Sequence, residues 1–252
     1  MTHDAQIEAL REMIEEVDDV VVFTGAGVST ESGIPDFRSP GTGIWNKIKP
    51  TDFSDFIGSE EVRRTSWQRK FAGSDKIEEA LPNRGHRAIA QLIDIGKASV
   101  VITQNVDNLH QQSGVPAEKV LELHGNARFA TCLTCSQRYE LADLKAQFEQ
   151  HGEVQPCVVC GGIIKTATIS FGQELPQDVL MSAAIRSERC ELFLAIGSSL
   201  IVYPAASLPE LAHRNGAKLV ILNREATPFD DIADLVLHME IGPTLGDVVG
   251  VN

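Results

Sequence analysis

Two Cys-x-x-Cys pairs, Cys132-Leu-Thr-Cys135 and Cys157-Val-Val-Cys160, stand 21 residues apart. Paired knuckles at such a separation converge four thiolates on one tetrahedral Zn²⁺. Upstream, Gly25-Ala26-Gly27 follows the apolar run Val20 to Phe23. A turn leaving a strand there needs residues without a Cβ so that backbone amides can approach a phosphate. Thr30 stands where the dinucleotide fingerprint has its third glycine, so a tight turn without a ligand stays open as an alternative. Further along, Gly33 and Pro35 punctuate a loop that ends in Asp36-Phe37-Arg38, an aromatic face beside a cation. It reads either as a solvated surface loop or as a lid with Arg38 near phosphate and Phe37 over a reactive ring.

Thr103-Gln104-Asn105-Val106-Asp107-Asn108 begins where a second apolar strand ends. Open α/β sheets place ligands at the carboxyl ends of their strands, and carboxamides beside a carboxylate supply donors and acceptors for ribose hydroxyls or an amide. The plainer alternative is that Asn and Asp cap the helix that follows. His124 precedes Gly125 just before the first knuckle. Its titration range suits a general base near neutral pH, whereas His110 falls inside the helix expected after the Asn/Asp cluster and ranks lower. A second strand-end glycine motif, Gly197-Ser198-Ser199, lies downstream.

The elements that must position these residues alternate. Helices are expected over Ala5 to Val17, His86 to Ile95, Gln177 to Arg186 and Pro204 to Arg214. Strands are expected over Val20 to Phe23, Ser99 to Thr103, Leu192 to Ile196 and Lys218 to Leu222. The strands are continuous apolar runs, as burial on both faces demands, so the fold class is α/β with a Rossmann-like parallel sheet between helices. Two stretches break the rhythm, a Gly/Pro/Asp-rich one from Ser39 to Arg84 and the cysteine-bearing one from Arg128 to Lys165. They read as insertions that form a smaller domain. The end from Gly242 to Asn252 reads as a loose terminus.

With 22 Lys and Arg against 35 Asp and Glu, the formal charge of −13 repels nucleic-acid backbones and anionic lipid. No direct nucleic-acid or membrane partner is expected. There is no basic-then-apolar leader, and four knuckle thiols need a reducing compartment, which makes the cytoplasm the expected location. Cys190, ahead of the run Leu192 to Ile196, is read as a small buried hydrophobe.

In order along the chain, Gly25-Ala-Gly-x-Ser, Gly33-Ile-Pro-Asp-Phe-Arg38, Thr103-Gln-Asn-x-Asp107, His124-Gly125, the paired knuckles, Phe171-Gly172, Gly197-Ser-Ser199 and Asn223 resemble the sirtuin (Sir2) family of NAD-dependent protein-lysine deacylases. The resemblance spans roughly residues 5 to 240. It implies an NAD-binding domain over 1–38, 86–127 and 166–252. A helical module over 39–85 and a zinc-ribbon module over 128–165 would make up the small domain. The zinc it implies is structural, one per chain. Nicotinamide, free lysine and O-acyl-ADP-ribose would be the products.

Carried over residue by residue, the resemblance puts Gly25, Ala26, Gly27, Asp36, Phe37, Arg38, Gly197, Ser198 and Ser199 around NAD. Ala26, Arg38 and Ser198 would meet the pyrophosphate, Gln104 the nicotinamide ribose and Asn223 the adenosine ribose. Asn105, Val106 and Asp107 would line the nicotinamide pocket. His124 would act as general base, with Asn105 the second catalytic residue. An acyl-lysine peptide would add as an extended strand between Phe171-Gly172-Gln173 with Leu175 on one side and Ile201-Val202-Tyr203 on the other, with Ile169 in the acyl channel. A monomer is expected.

Gln173 departs from the glutamate usual in the family, and Lys165-Thr166 replace a frequent Arg-Pro. Ser66 and Arg69 stand near the place where acidic-acyl members carry a Tyr and an Arg. Removal of acetyl groups is therefore the leading reading. Longer or acidic acyl groups, mono-ADP-ribosyl transfer, and a non-catalytic NAD-sensing or interaction module are the alternatives.

Overall fold

The computed structural model describes residues 2–36, 43, 49–73, 77 and 79–252. Phe37 and Arg38 lie outside the described residues. In chain order the elements are α1 (His3–Glu15), β1 (Val20–Thr24), α2 (Phe53–Gly58), α3 (Glu60–Gly73), α4 (Arg84–Asp94), β2 (Ala98–Thr103), α5 (Leu109–Gln112), β3 (Val120–Glu122), β4 (Gly125–Cys132) and β5 (Arg138–Glu140). There follow α6 (Leu141–His151), β6 (Ile164–Thr168), α7 (Gln177–Arg189), β7 (Leu192–Ile196), α8 (Ser207–Arg214), β8 (Lys218–Leu222), β9 (Leu235–Leu237) and α9 (Ile241–Val249).

Among the described residues, one sheet runs β3-β2-β1-β7-β8-β9 with every pairing parallel. Period-two alternation sends its side chains into two cores. Val20, Val22, Val101, Leu194 and Val220 join Leu10, Ile89 and Leu245 on one face. Val21, Phe23, Val100, Phe193 and Leu219 join Ala183, Leu208 and Ala212 on the other. Burying each such Val, Leu, Ile or Phe side chain contributes roughly 1.5–3 kcal/mol. Cys190 is buried in the second core, as a small hydrophobe should be. No helix of the described residues is long and apolar enough to cross a membrane.

The C-terminal segment expected to be loose is instead helix α9. Ile241, Leu245 and Val248 recur at helical spacing and are buried against the first core. Gly242 lets its backbone N–H reach Glu31 at 2.8 Å, and a Cβ at Gly246 would collide with the Arg84 side chain. The glycines that made the segment read as loose are there because the helix is packed closely.

A second sheet, β5-β4-β6, is antiparallel. Its core holds Ala130, Cys132, Cys157, Ile164 and Leu144 together with Trp67 of α3. Trp67 stacks on Phe71 at 5.3 Å between centroids, and Phe71 meets Phe148 at 5.5 Å. Two stretches far apart in sequence thus share one small core.

Candidate active site

The strand order reverses between β1 and β7, and the loops leaving their carboxyl ends form the floor of a cleft of about 660 Å³. The glycines there are demanded first by the loops themselves. A Cβ on Gly25 or Gly27 would stand 2.7 Å from Gly197, and one on Gly197, at φ +60°, would stand 2.5 Å from Val28 N. Gly27 N–H donates to Gly197 O at 2.8 Å, clamping the loops together. After Gly25 the chain forms a short 3₁₀ helix, Ala26–Ser32, in which Thr30 Oγ1 donates to Gly27 O at 2.9 Å.

At the end of β2, Gln104 N–H donates to Thr24 O at 2.9 Å, while its side-chain amide donates to Ser198 Oγ at 2.8 Å and so spans the floor. Asn105 turns inward and donates through Nδ2 to Ser29 Oγ at 3.1 Å. Asp107 is only 5% exposed. Its Oδ2 accepts from Ser29 Oγ at 2.7 Å and its Oδ1 from Leu109 N–H at 2.9 Å. The carboxylate therefore serves the start of α5 as well as the polar cluster behind the cleft, so the two readings of this motif coexist.

His124 Nδ1 lies 3.0 Å from Gln104 O. A carbonyl can only accept, so Nδ1 carries the proton and Nε2 is the basic nitrogen of the neutral ring. The turn after it can be built only from glycine, since Gly125 has φ +72° and a Cβ there would collide with Ala167 O. Ile169 N–H donates to His124 O at 2.8 Å, which anchors the turn to the chain leaving β6.

The opposite wall comes from that chain and from α2 and α3. Phe171 O accepts from Phe53 N–H at 2.9 Å, tying the Phe171-Gly172 turn to α2. Gln173 Oε1 accepts from Ser170 N–H at 3.1 Å, so the residue that departs from the family pattern braces its own turn, a task a glutamate carboxylate can also do. Lys165 is buried, donates to Thr166 O at 3.4 Å and Thr168 O at 2.5 Å, and sits 6.0 Å from the Phe56 ring centre. Burial pushes its amine down to about 8.

One continuous cleft gathers Gly25, Ala26, Gly27, Asp36, Gln104, Asn105, Val106, His124, Gly197, Ser198, Ser199 and Asn223 on its floor and near rim. Ile169, Phe171, Gly172, Gln173, Leu175, Val202 and Tyr203 line the same cleft. Two expected residues are not on its surface: Asp107 lies behind it, and Ile201 is half exposed and outside the lining.

The four knuckle sulfurs all lie within 4.8 Å of one another, with Cys132–Cys160 at 3.5 Å and Cys135–Cys157 at 3.6 Å. A disulfide needs about 2.05 Å, whereas ~2.3 Å Zn–S bonds in a tetrahedron put sulfurs about 3.8 Å apart, so the donors fit zinc. Donation from the Tyr139 hydroxyl at 3.0 Å is the main influence lowering the Cys157 thiol to about 6, which favours the thiolate a metal requires. Gly162 must lack a Cβ, which would stand 2.8 Å from Cys132 Sγ.

The model of the Sir2 family matches residues 25–204. The chain belongs to the Sir2 family. Among its Sir2 relatives, the NAD-dependent protein deacetylase 1 of Bradyrhizobium diazoefficiens is 54% identical, over 97% of this chain and 95% of that one. The NAD-dependent protein deacylase 2 of Archaeoglobus fulgidus is 39% identical over 97% and 95%. A solved structure of Sir2 with a p53 peptide and NAD⁺ superposes with a TM-score of 0.86 at 37% identity, covering 97% of both chains. A Sir2 enzyme bound to a propionylated peptide gives 0.84 at 37%, covering 97% and 98%.

Two residues of this Sir2 chain's polar cluster, Ser29 and His86, have roles that no local sequence pattern reports. Ser29 was visible in the glycine motif, but nothing in spacing tells that its hydroxyl meets Asp107. His86 lay in a helix read for periodicity alone, although Asn83, three residues before it, signals the N-cap that places it.

Proposed function

We propose that this Sir2 protein removes acyl groups, chiefly acetyl, from protein lysines in a reaction that consumes NAD⁺ and yields free lysine, nicotinamide and O-acyl-ADP-ribose. The observation that carries the reading is His124. Its Nδ1 proton is committed to Gln104 O, which makes Nε2 the basic nitrogen, and the ring lines the same cleft as Asn105 and the clamped glycine loops. NAD⁺, when bound, supplies an electrophilic ribose carbon and nicotinamide as leaving group.

The residues then divide the work. Gly25, Ala26, Gly27, Gly197, Ser198 and Ser199 present backbone and hydroxyl groups to the phosphates, with Asp36 and Val106 beside them. Asn223 holds the adenosine ribose. Gln104, fixed by Ser198, orients the nicotinamide ribose. Asn105, with Asp107 behind it, holds the carboxamide end. His124 takes a ribose hydroxyl proton at Nε2, a role worth roughly 10²–10⁴-fold. We assign Phe37 and Arg38 to the same cofactor by their place in the motif.

The acylated peptide adds as a strand between Phe171-Gly172-Gln173-Glu174-Leu175 and Ile201-Val202-Tyr203, with main-chain bonds giving affinity independent of sequence. Ile169, Phe171 and Val202 line the acyl end. We divide the chain into an NAD-binding domain (1–38, 86–127, 166–252) and a small domain of a helical module (39–85) and a zinc module (128–165). Cys132, Cys135, Cys157 and Cys160 hold one structural Zn²⁺. The protein acts as a monomer in the cytoplasm, where thiols stay reduced, and takes neither nucleic acid nor membrane as partner.

The test is incubation with an acetyl-lysine peptide, with and without NAD⁺, followed by mass. Deacetylated peptide with equimolar O-acetyl-ADP-ribose, formed only with NAD⁺, is expected. An intact acetyl group together with ADP-ribose attached to protein would replace this reading by ADP-ribosyl transfer.

A further inference from the structure

We infer that His86 is a positioning residue for the nicotinamide end of the cleft, acting through Ser29 to set the orientation of Asp107 and Asn105. The inference rests on the NAD⁺ reading above and names part of that site's machinery.

Helix α4 begins at an N-cap, Asn83, whose side-chain oxygen accepts from Gly85 and His86 N–H, while Asn83 N–H points at His86 Nδ1 at 3.4 Å. Asn83 Nδ2 also donates to Val28 O at 2.7 Å and Ser32 Oγ at 3.0 Å, which fastens the helix start to the 3₁₀ segment carrying Ser29. A ring nitrogen that accepts carries no proton. The hydrogen of neutral His86 is therefore on Nε2, and Nε2 faces Ser29 Oγ at 3.5 Å, the longest link in the chain.

Ser29 is 1% exposed and has one proton and two lone pairs. His86 Nε2–H and Asn105 Nδ2 are both donors to it, so the hydroxyl proton has only Asp107 Oδ2, at 2.7 Å, to go to. Two consequences follow. The Asp107 carboxylate is turned toward Ser29. The Asn105 amide is fixed with its nitrogen inward, which leaves Oδ1, an acceptor, for the cleft it lines. Burial lowers His86 to about 4, with Arg87 adding to the effect, so the ring stays neutral near pH 7.

Removing the Nε2 donor would let the Ser29 proton turn elsewhere and loosen both partners while leaving the glycine loops untouched. His86→Gln keeps a side-chain N–H for Ser29, whereas His86→Leu does not. The experiment compares wild type and both variants, each first shown folded by circular dichroism. It measures Kd for NAD⁺ and for ADP-ribose by calorimetry, and the His86 tautomer of the wild type by long-range ¹H–¹⁵N NMR.

Expected are an Nε2–H tautomer, NAD⁺ binding weakened about tenfold in His86→Leu with ADP-ribose within about twofold, and near wild-type NAD⁺ binding in His86→Gln, the size of one hydrogen bond to a charged network. An Nδ1–H tautomer would overturn the inference. So would parallel loss of both ligands, unchanged NAD⁺ binding in His86→Leu, or a His86→Gln variant no better than His86→Leu. Wild-type protein that binds neither ligand would overturn the NAD⁺ reading and this inference with it, and the tautomer measurement judges the hydrogen-bond chain in either case.

Discussion

The two walls of the cleft are built by different physics. The sheet wall rests on strands buried on both faces and on glycine loops clamped backbone to backbone, so its polar groups are held by a large apolar core. The opposite wall leans on a small cluster around Trp67, Cys132, Cys157 and Leu144, while Cys135, Cys160, Val158 and Val159 are exposed. A core that small cannot hold antiparallel strands alone, and the sulfur cluster supplies what it lacks. On the proposed reading, cofactor binding rests on the sheet wall and peptide binding also needs the opposite one, so the two should differ in stability. Residues for the first should survive damage to the second.

The sharpest way to break that contrast is to remove the metal. Cys157→Ala should lower zinc from one per chain to none and abolish deacylation, since structural zinc contributes about 10–16 kcal/mol in small zinc peptides. Hydrogen exchange should then show amides of 125–168 losing protection while β1, β2 and β7 keep theirs. Equal loss in both sheets would show one cooperative unit and dissolve the comparison.

His124 joins the two walls, being held by Gln104 O on one side and bonded through its own carbonyl to Ile169 on the other. His124→Ala should cost roughly 10²–10⁴-fold in kcat with NAD⁺ affinity nearly unchanged, because the sheet wall does not need the ring. Turnover close to wild type would remove the base from the proposal.

Legibility in the sequence followed the same divide. Strands β1, β2, β7 and β8 were readable because burial on both faces leaves unbroken apolar runs, and the order of the motifs carried the cleft residues with them. The antiparallel strands of the small sheet were not readable, since Gly125 to Cys132 mixes polar and apolar residues and is set by pairing with β6 around the sulfur cluster. Helix α9 was misread because Gly242, Pro243 and Gly246 mask the stripe Ile241, Leu245, Val248. The network joining His86, Ser29 and Asp107 spans 78 positions from Ser29 to Asp107, a distance no local pattern reports.

A pH experiment sharpens the comparison from the sheet side. Burial holds His86 at about 4 and His110 at about 3, both below the ordinary 6.5. The unfolded chain thus binds more protons as pH falls from about 6.5, and stability contributed by the neutral rings is lost on the way down to those values. From pH 7 to pH 5 the loss should be about 2 kcal/mol per histidine, read by urea unfolding of the sheet. His86→Gln should flatten that slope by about half. A slope unchanged by the substitution would mean that other groups carry the acid sensitivity.

The smallest expected effect concerns the acyl group on the wall opposite the parallel sheet. A succinyl chain brings a carboxylate that must be paired once it leaves water, or it costs several kcal/mol. Lys165, a buried cation 6.0 Å from the Phe56 ring centre, already gives two of its hydrogens to Thr166 O and Thr168 O. Arg69 lines the cleft but is exposed, where an ion pair is worth about 0–1 kcal/mol. Ser66 donates to Thr51 Oγ1 at 3.4 Å and offers no second strong partner. Acetyl-lysine should therefore be processed with a kcat/KM about tenfold above succinyl-lysine on the same peptide, a difference near 1.4 kcal/mol. Arg69→Met should change the succinyl rate by less than about threefold. If succinyl-lysine were the better substrate and Arg69→Met removed that advantage, the exposed guanidinium would be closing over the acyl chain. This wall would then be shaped by its ligand, unlike the preformed sheet wall facing it.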